Sequence, residues 1–212
     1  MIRITEIFHS LQGETRTMGI PTVFVRLTGC PLRCVYCDTA YAFSGGELMG
    51  LENILDRVAS WDCRHVTVTG GEPLAQPECL DLLKALCDRD FEVSLETGGA
   101  MPVEEVDPRV CIVMDLKTPG SRESHRNRYE NLQHLRATDQ VKFVICDRKD
   151  YEWSAWQVRK FGLAERIDDV LFSPSHEELD PAQLAQWILD DRLPVRMQIQ
   201  LHKVLWNSEP GR

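Results

Sequence analysis

Seven short runs rich in apolar and β-branched residues punctuate the chain: Val23–Leu27, His65–Thr69, Glu92–Leu95, Val110–Met114, Val141–Ile145, Val170–Phe172 and Val195–Leu201. Between them lie stretches whose apolar residues return at helical spacing. Leu51, Ile54, Leu55 and Val58 form one stripe, and Leu80, Leu82, Leu83, Leu86 and Cys87 another. Further helices are expected near Asp150–Phe161 and near Ala182–Asp190, the latter opened by Asp180-Pro181 with proline at the first helical position. Strands alternating with helices predict a parallel sheet, and about six such units predict an α/β fold, a barrel or partial barrel of about six parallel strands. No repeat, low-complexity tract or Pro/Gly/Ser-rich linker divides the sequence, so residues 1–212 are expected to form a single domain.

In parallel α/β folds, ligands bind where the strands end, because loops and helix N-termini converge there. Here the first expected strand runs into Gly29-Cys30, the second into Gly70-Gly71-Glu72-Pro73 and the third into Glu96-Thr97-Gly98-Gly99. The fourth leads to Asp115-Leu116-Lys117 and the sixth to Ser173-Pro174-Ser175-His176. Polar, glycine-rich chemistry therefore recurs along one rim.

Cys30, Cys34 and Cys37 stand on that rim in C-x3-C-x2-C spacing. An iron–sulfur cube has four irons and takes four thiolates, so three close cysteines leave one iron open to an outside ligand. A zinc site is the rival reading, although structural zinc favours two separated knuckles. A redox pair Cys34/Cys37 is another, but it leaves Cys30 unexplained. Cys63, Cys79, Cys87, Cys111 and Cys146 show no ligand spacing among themselves and read as buried apolar-like thiols. At Gly70-Gly71-Glu72-Pro73, glycines let backbone approach a ligand and the carboxylate suits an ammonium group; a plain strand-to-helix turn is the alternative.

The formal charge of −9 argues against a general nucleic-acid binder. No run approaches the roughly 20 apolar residues that span a bilayer, so no membrane partner is expected. The first residues lack a signal peptide's apolar segment and cleavage site, which points to the cytoplasm. Eight cysteines in a chain of this length do not read as a disulfide scaffold.

With the cysteine triplet, the Gly-Gly-Glu-Pro turn and the β/α alternation, the sequence resembles the radical S-adenosylmethionine superfamily. Phe8-His-Ser-Leu-Gln-Gly-Glu14, Phe24-Val-Arg-Leu-Thr-Gly-Cys30, Cys37-Asp-Thr39, Glu96-Thr-Gly98 and Gln200-Leu-His-Lys203 further resemble the 7-carboxy-7-deazaguanine synthase family, over nearly the whole chain. The resemblance implies a radical lyase with the partial barrel of that superfamily, acting in the biosynthesis of queuosine and related deazapurines. Its substrate would be 6-carboxy-5,6,7,8-tetrahydropterin, contracted to 7-carboxy-7-deazaguanine with loss of ammonia. It also implies a [4Fe–4S] cluster, S-adenosyl-L-methionine, Mg2+, a homodimer, and an electron donor such as a flavodoxin or ferredoxin.

The residues follow the same resemblance. Cys30, Cys34 and Cys37 would hold the cluster, and Gly70, Gly71 and Glu72 would receive the methionine ammonium. Tyr36, Asp38, Gly99, Asp115, Leu116, Lys117, Ser173, Pro174, Ser175 and His176 would line the rest of the cofactor. Tyr36 stands where the family often has tryptophan. Leu11, Gln12, Gly13 and Glu14 would meet the pterin edge, whose row of donors and acceptors suits backbone groups, a carboxamide and a carboxylate. Arg26 would pair with the substrate carboxylate, or else with a structural acid. Thr97 would contact substrate, or tie its hydroxyl to its own backbone. Thr39 would be the Mg2+ ligand, completed only by substrate oxygens, or else a helix N-cap. His202 would contact substrate or shuttle a proton, or be an ordinary paired histidine. The rival functions are a glycyl-radical activase, which would not need the Leu11–Glu14 segment, and a non-catalytic metal-binding module.

Overall fold

The computed structural model describes residues 1–207, 209 and 211. Its centre is one nine-stranded sheet, built from β1 (Ile2–Leu11), β2 (Pro21–Leu27), β3 (Glu47–Met49), β4 (His65–Gly70), β5 (Glu92–Thr97), β6 (Cys111–Asp115), β7 (Gln140–Ile145), β8 (Asp169–Pro174) and β9 (Arg196–Met197). The strand order is β3-β1-β2-β4-β5-β6-β7-β8-β9. From β2 onward every neighbouring pair is parallel, whereas β1 runs antiparallel to both β2 and β3. Its two edges, β3 and β9, do not meet, so the sheet is an open, partial barrel.

Register explains the apolar runs. Val25 faces Val68, Val68 faces Leu95 and Leu95 faces Ile112; Met114 then faces Val141, which faces Val170. Each of these side chains is buried. Helices α1 (Leu51–Ala59), α2 (Cys79–Asp88), α3 (Arg148–Phe161) and α5 (Pro181–Asp190) lay their stripes on the sheet through Ile54, Leu83, Val158 and Leu184, among others. A short α4 spans Leu163–Arg166. Asp147 caps α3 by accepting from the Asp150 amide at 2.9 Å, and Gly162 ends it at φ 57°, where a side chain would be strained. Pro181 opens α5 and Asp180 caps it, as Asp-Pro spacing predicts.

Two elements depart from expectation. The ten-residue strand β1 escapes a period-two reading because a bulge between Ile4 and Glu6 changes its phase, so buried Ile2 and Ile4 are followed by buried Ile7. The run Val195–Leu201 is strand only at Arg196–Met197, and Leu201 begins α6 (Leu201–Trp206). After β9 the backbone leaves the sheet, and the Leu201 amide bonds Gly13 O instead. Cys79 and Cys87 are buried as expected, while Cys63, Cys111 and Cys146 are half-buried; all are free thiols. Among the described residues, no helix is long and apolar enough to cross a membrane.

Candidate active site

The loop after β2 carries Cys30, Cys34 and Cys37, all free, half-buried and lining one cavity of about 400 Å³. A turn within this loop and the segment after β6 brace it. The Gly29 amide donates to Ala42 O at 2.8 Å, Val35 donates to Ser121 O at 3.2 Å, and Arg33 donates through its amide to Glu123 Oε1 at 2.8 Å. The Arg33 guanidinium returns to Cys30 O at 2.7 Å. The glycine pair after β4 closes the brace. A Cβ on Gly70 would lie 2.4 Å from Leu27 O, and one on Gly71 would lie 2.3 Å from Gly29 O and 2.7 Å from the Cys30 Cβ. These glycines thus serve the packing of two strand ends as well as the cavity they line.

Three sulfurs on one wall fit a cluster better than they fit free thiolates. Burial pushes all three thiols up, Cys34 to about 11, with the Lys117 ammonium opposing the rise. A metal cluster would supply the positive charge that their ionised form needs. No group of three His, Cys, Asp or Glu side chains among the described residues is gathered for a single ion.

The rest of this wall fits a polar cofactor. Tyr36, Asp38, Asp115, Lys117, Ser175 and His176 all line it. Lys117 Nζ holds Asp115 Oδ2 at 2.9 Å, yet Asp115 Oδ1 and the Tyr36 hydroxyl are buried without a hydrogen-bond partner. Buried polar atoms ordinarily find partners, so two orphans on one cavity wall suit the hydroxyls of a bound nucleoside.

Several expected contacts lie elsewhere. Glu72 is fully buried and accepts from the Thr97 hydroxyl at 2.9 Å, the Gly98 amide at 2.8 Å and the Leu74 amide at 3.2 Å. Its carboxylate therefore fastens β5 to the turn after β4 and does not line the cavity. Thr97 does line the first cavity, but its hydroxyl is engaged by the same bond and also accepts from the Gly99 amide at 3.2 Å, the local backbone tie that was its alternative reading. Leu116 is core, since a side chain next to Lys117 on a strand extension faces the opposite way. Gly99 packs under Met114, while Ser173 and Pro174 are buried in β8, leaving Ser175 and His176 on the rim.

A second cavity of about 290 Å³ adjoins the first, sharing Glu14, Asp38, Thr39, Thr69, Gly70, Glu96, Lys142 and Lys203 with it. Leu11, Gln12, Gly13, Glu14, Arg26 and His202 come together in its lining. Arg26 Nε already donates to Glu6 Oε1 at 2.7 Å, and Tyr41 OH donates to the same oxygen at 2.7 Å. The expected bidentate partner thus begins with a structural acid. Thr39 precedes a 3-10 turn at Ala40–Phe43 but makes no cap bond, and its hydroxyl donates to Asp38 Oδ1 at 2.8 Å.

The floor of the second cavity is ionic. Lys142 on β7 pairs with Glu14, and Gln200 donates to the other Glu14 oxygen at 3.0 Å. Burial alone would raise Glu14, but the ammonium of Lys142, with His202 and these hydrogen bonds, holds it at about 2. Burial would lower Lys142; Glu14, Asp115 and Glu96 instead raise it, so it stays charged. Glu96 is raised, chiefly by burial, and accepts from Gln12 Nε2 at 3.2 Å and Thr69 Oγ1 at 3.0 Å. His202 is lowered, again chiefly by burial, and Lys203 Nζ lies 3.2 Å from Asp38. Glu96, Lys142, Gln200 and Lys203 were not picked out as site residues. The signal was present for two of them: Lys142 is a charge inside the apolar run Val141–Ile145, and Glu96 heads the polar rim segment that follows the third strand.

A parallel sheet with three free cysteines at one strand end and an adjoining ionic pocket defines the class. Residues 24–110 match the Radical SAM superfamily, a family that implies a [4Fe–4S] cluster and S-adenosylmethionine. The chain is 44% identical over 211 residues to the 7-carboxy-7-deazaguanine synthase of Chlorobaculum tepidum, covering 98% of this chain and 96% of that one. It is 41% identical to the same enzyme of Koribacter versatilis, covering 98% of each chain. The crystal structure of QueE from Escherichia coli superposes with a TM-score of 0.79 over 95% of this chain and 94% of that one, at 22% identity, a likeness of fold. The chain belongs to the 7-carboxy-7-deazaguanine synthase family of radical S-adenosylmethionine enzymes.

Proposed function

We propose that this protein is a 7-carboxy-7-deazaguanine synthase, a radical lyase contracting 6-carboxy-5,6,7,8-tetrahydropterin to 7-carboxy-7-deazaguanine with release of ammonia, on the route to queuosine and related deazapurines. The carrying observation is the junction of two cavities, one walled by the three cysteines and the other by Gln12, Glu14 and Arg26. When bound, the cluster and S-adenosylmethionine supply a 5′-deoxyadenosyl radical; the protein supplies binding, orientation and exclusion of water. Cys30, Cys34 and Cys37 hold the cluster. The Gly70–Gly71 backbone, Tyr36, Asp115, Lys117, Ser175 and His176 hold S-adenosylmethionine.

In the adjoining pocket, Gln12, Gly13 and Glu14 meet the pterin edge, with Glu14 kept ionised by Lys142. Glu6 engages only Nε of Arg26, so the terminal guanidinium nitrogens serve the substrate carboxylate. His202 is largely neutral near pH 7, able to accept or donate one hydrogen bond there. Thr39 offers a single oxygen to Mg2+, which binds once substrate completes its sphere. Titration calorimetry should therefore show Mg2+ uptake only with the pterin present, and tight uptake by substrate-free protein would refute that role. The chain acts as one domain within a cytoplasmic homodimer and receives its electron from a flavodoxin or ferredoxin.

The test is product analysis after anaerobic incubation with dithionite, S-adenosylmethionine, Mg2+ and the carboxytetrahydropterin. The carboxydeazaguanine should appear together with ammonia. S-adenosylmethionine cleavage with the pterin recovered intact would overturn the assignment.

A further inference from the structure

The bulge in β1 decides what stands opposite Arg26. A period of two counted from buried Ile4 would turn Glu6 toward the core and Ile7 away from it. The bulge between Ile4 and Glu6 shifts that phase, so Ile7 is core and Glu6 lies directly across from Arg26 of β2. From there the strands alternate in step: Phe8 is paired with Phe24, and their rings stack at 5.0 Å. Phe8, Phe24 and Arg26 line the second cavity, whereas Glu6 stands outside that lining.

Glu6 Oε1 accepts from Arg26 Nε at 2.7 Å and from the Tyr41 hydroxyl at 2.7 Å. Tyr41 belongs to the turn Ala40–Phe43 that follows Thr39, so the far end of the cysteine loop is tied to the same carboxylate. The guanidinium carbon lies 5.8 Å from the Phe8 ring centre and 6.0 Å from that of Tyr41, at the outer reach of a cation–π contact. A guanidinium offers a side edge through Nε and an end formed by its two terminal nitrogens. Glu6 takes Nε, which leaves the end donors to a second, bidentate carboxylate. The lysines of the same lining are engaged already, Lys142 with Glu14 and Lys203 with Asp38. Left unrestrained, Arg26 would have other acids to turn to. Glu14, Asp38 and Glu96 line this cavity, and Arg26 already opposes the rise of Glu96 electrostatically.

We propose that Glu6 and Tyr41 are positioning residues that hold the Arg26 guanidinium end-on to the second cavity and so set its selectivity for a pterin that carries a carboxylate, an inference that rests on the function proposed above. Glu6 acts through Arg26, and Tyr41 through Glu6. The Glu6 charge offsets part of the attraction between Arg26 and an anionic ligand. What it gives in return is orientation, because a fork already held in the bidentate geometry loses less rotamer freedom on binding. A lysine at position 26 could not serve both carboxylates in this way, since its ammonium has no planar fork.

The test is anaerobic titration calorimetry on the reconstituted protein, with S-adenosylmethionine and Mg2+ present and no reductant. The two ligands are 6-carboxy-5,6,7,8-tetrahydropterin and a tetrahydropterin lacking the carboxylate. Wild type should favour the carboxylated ligand, and Arg26→Ala should abolish the preference. Glu6→Ala should weaken the carboxylated ligand about tenfold and leave the other unchanged. Glu6→Gln keeps an acceptor oxygen and should retain most of the preference. Tyr41→Phe removes one donor to Glu6 from an exposed residue and should cost the carboxylated ligand alone about threefold, which decides the matter even if Glu6→Ala fails to fold. Equal losses for the two ligands would overturn the inference, because the pocket as a whole would then have been distorted. Unchanged or tighter binding of the carboxylated ligand to Glu6→Ala would also overturn it, making Glu6 a competitor of the substrate. So would a preference that survives Arg26→Ala. Absence of the carboxydeazaguanine from the reduced wild type would instead strike the enzymatic assignment, and the binding comparison would still decide the roles of Glu6 and Tyr41.

Discussion

Glu14 and Lys142 are a buried ion pair, and such pairs are costly to break from one side. Glu14→Gln leaves the Lys142 ammonium facing only Asp115 and Glu96, and should destabilise the protein by roughly 3–5 kcal/mol in denaturant titrations. The acid limb of stability carries the same signature. Glu14 titrates at about 2 in the fold against an ordinary 4.5, so its contribution is complete above pH 4.5 and is lost as pH falls toward 2. Its size is on the order of 3 kcal/mol, and that portion of the acid limb should be missing from the glutamine variant. A second test concerns Thr97, whose hydroxyl serves the buried Glu72 carboxylate. Thr97→Val should cost roughly 1–3 kcal/mol in denaturant titrations. An unchanged midpoint would contradict the structural role given to Glu72.

Elements decide which of these residues can meet. The turn after β4 admits no side chain at Gly71 because β2 ends against it. Gly71→Ala should therefore displace the Cys30 backbone and reduce iron uptake on reconstitution several-fold, while the far-UV circular dichroism stays native. At the other end of the chain, α6 folds back onto the β1–β2 loop: Leu201 bonds Gly13 O at 2.9 Å, and a Cβ on Gly13 would lie 2.4 Å from His202 Nδ1. Gly13→Ala should raise KM for the pterin and leave that for S-adenosylmethionine unchanged; a parallel rise in both would mean general unfolding. Six parallel strands, four helices and the cysteine rim were legible in sequence because period-two and helical spacing survive wherever burial is regular. β1 was hidden by its bulge, and the strand–helix break at Leu201 by a bond to a residue nearly the whole chain away. Lys142 was visible only as a charge inside an apolar run, and Glu96 only as part of the polar rim after the third strand. Glu72 was misplaced because the glycines beside it serve packing as well as access, which a motif does not disclose.

On the scale of the molecule, the open sheet brings every strand end that carries chemistry to one face. β2 supplies the sulfurs, β4 the glycine turn, β5 Glu96, β6 Asp115 with its Lys117 partner, β7 Lys142, and the loop after β8 Ser175 and His176. The central claim is that three protein sulfurs leave one coordination position for S-adenosylmethionine. Electron paramagnetic resonance of the reduced, reconstituted protein tests this most directly. Adding S-adenosylmethionine should shift the g values of a cubane signal, with the same shift absent when any one of Cys30, Cys34 or Cys37 is replaced by alanine. A cubane spectrum identical with and without S-adenosylmethionine would show a cluster fully ligated by the protein, and would contradict the account.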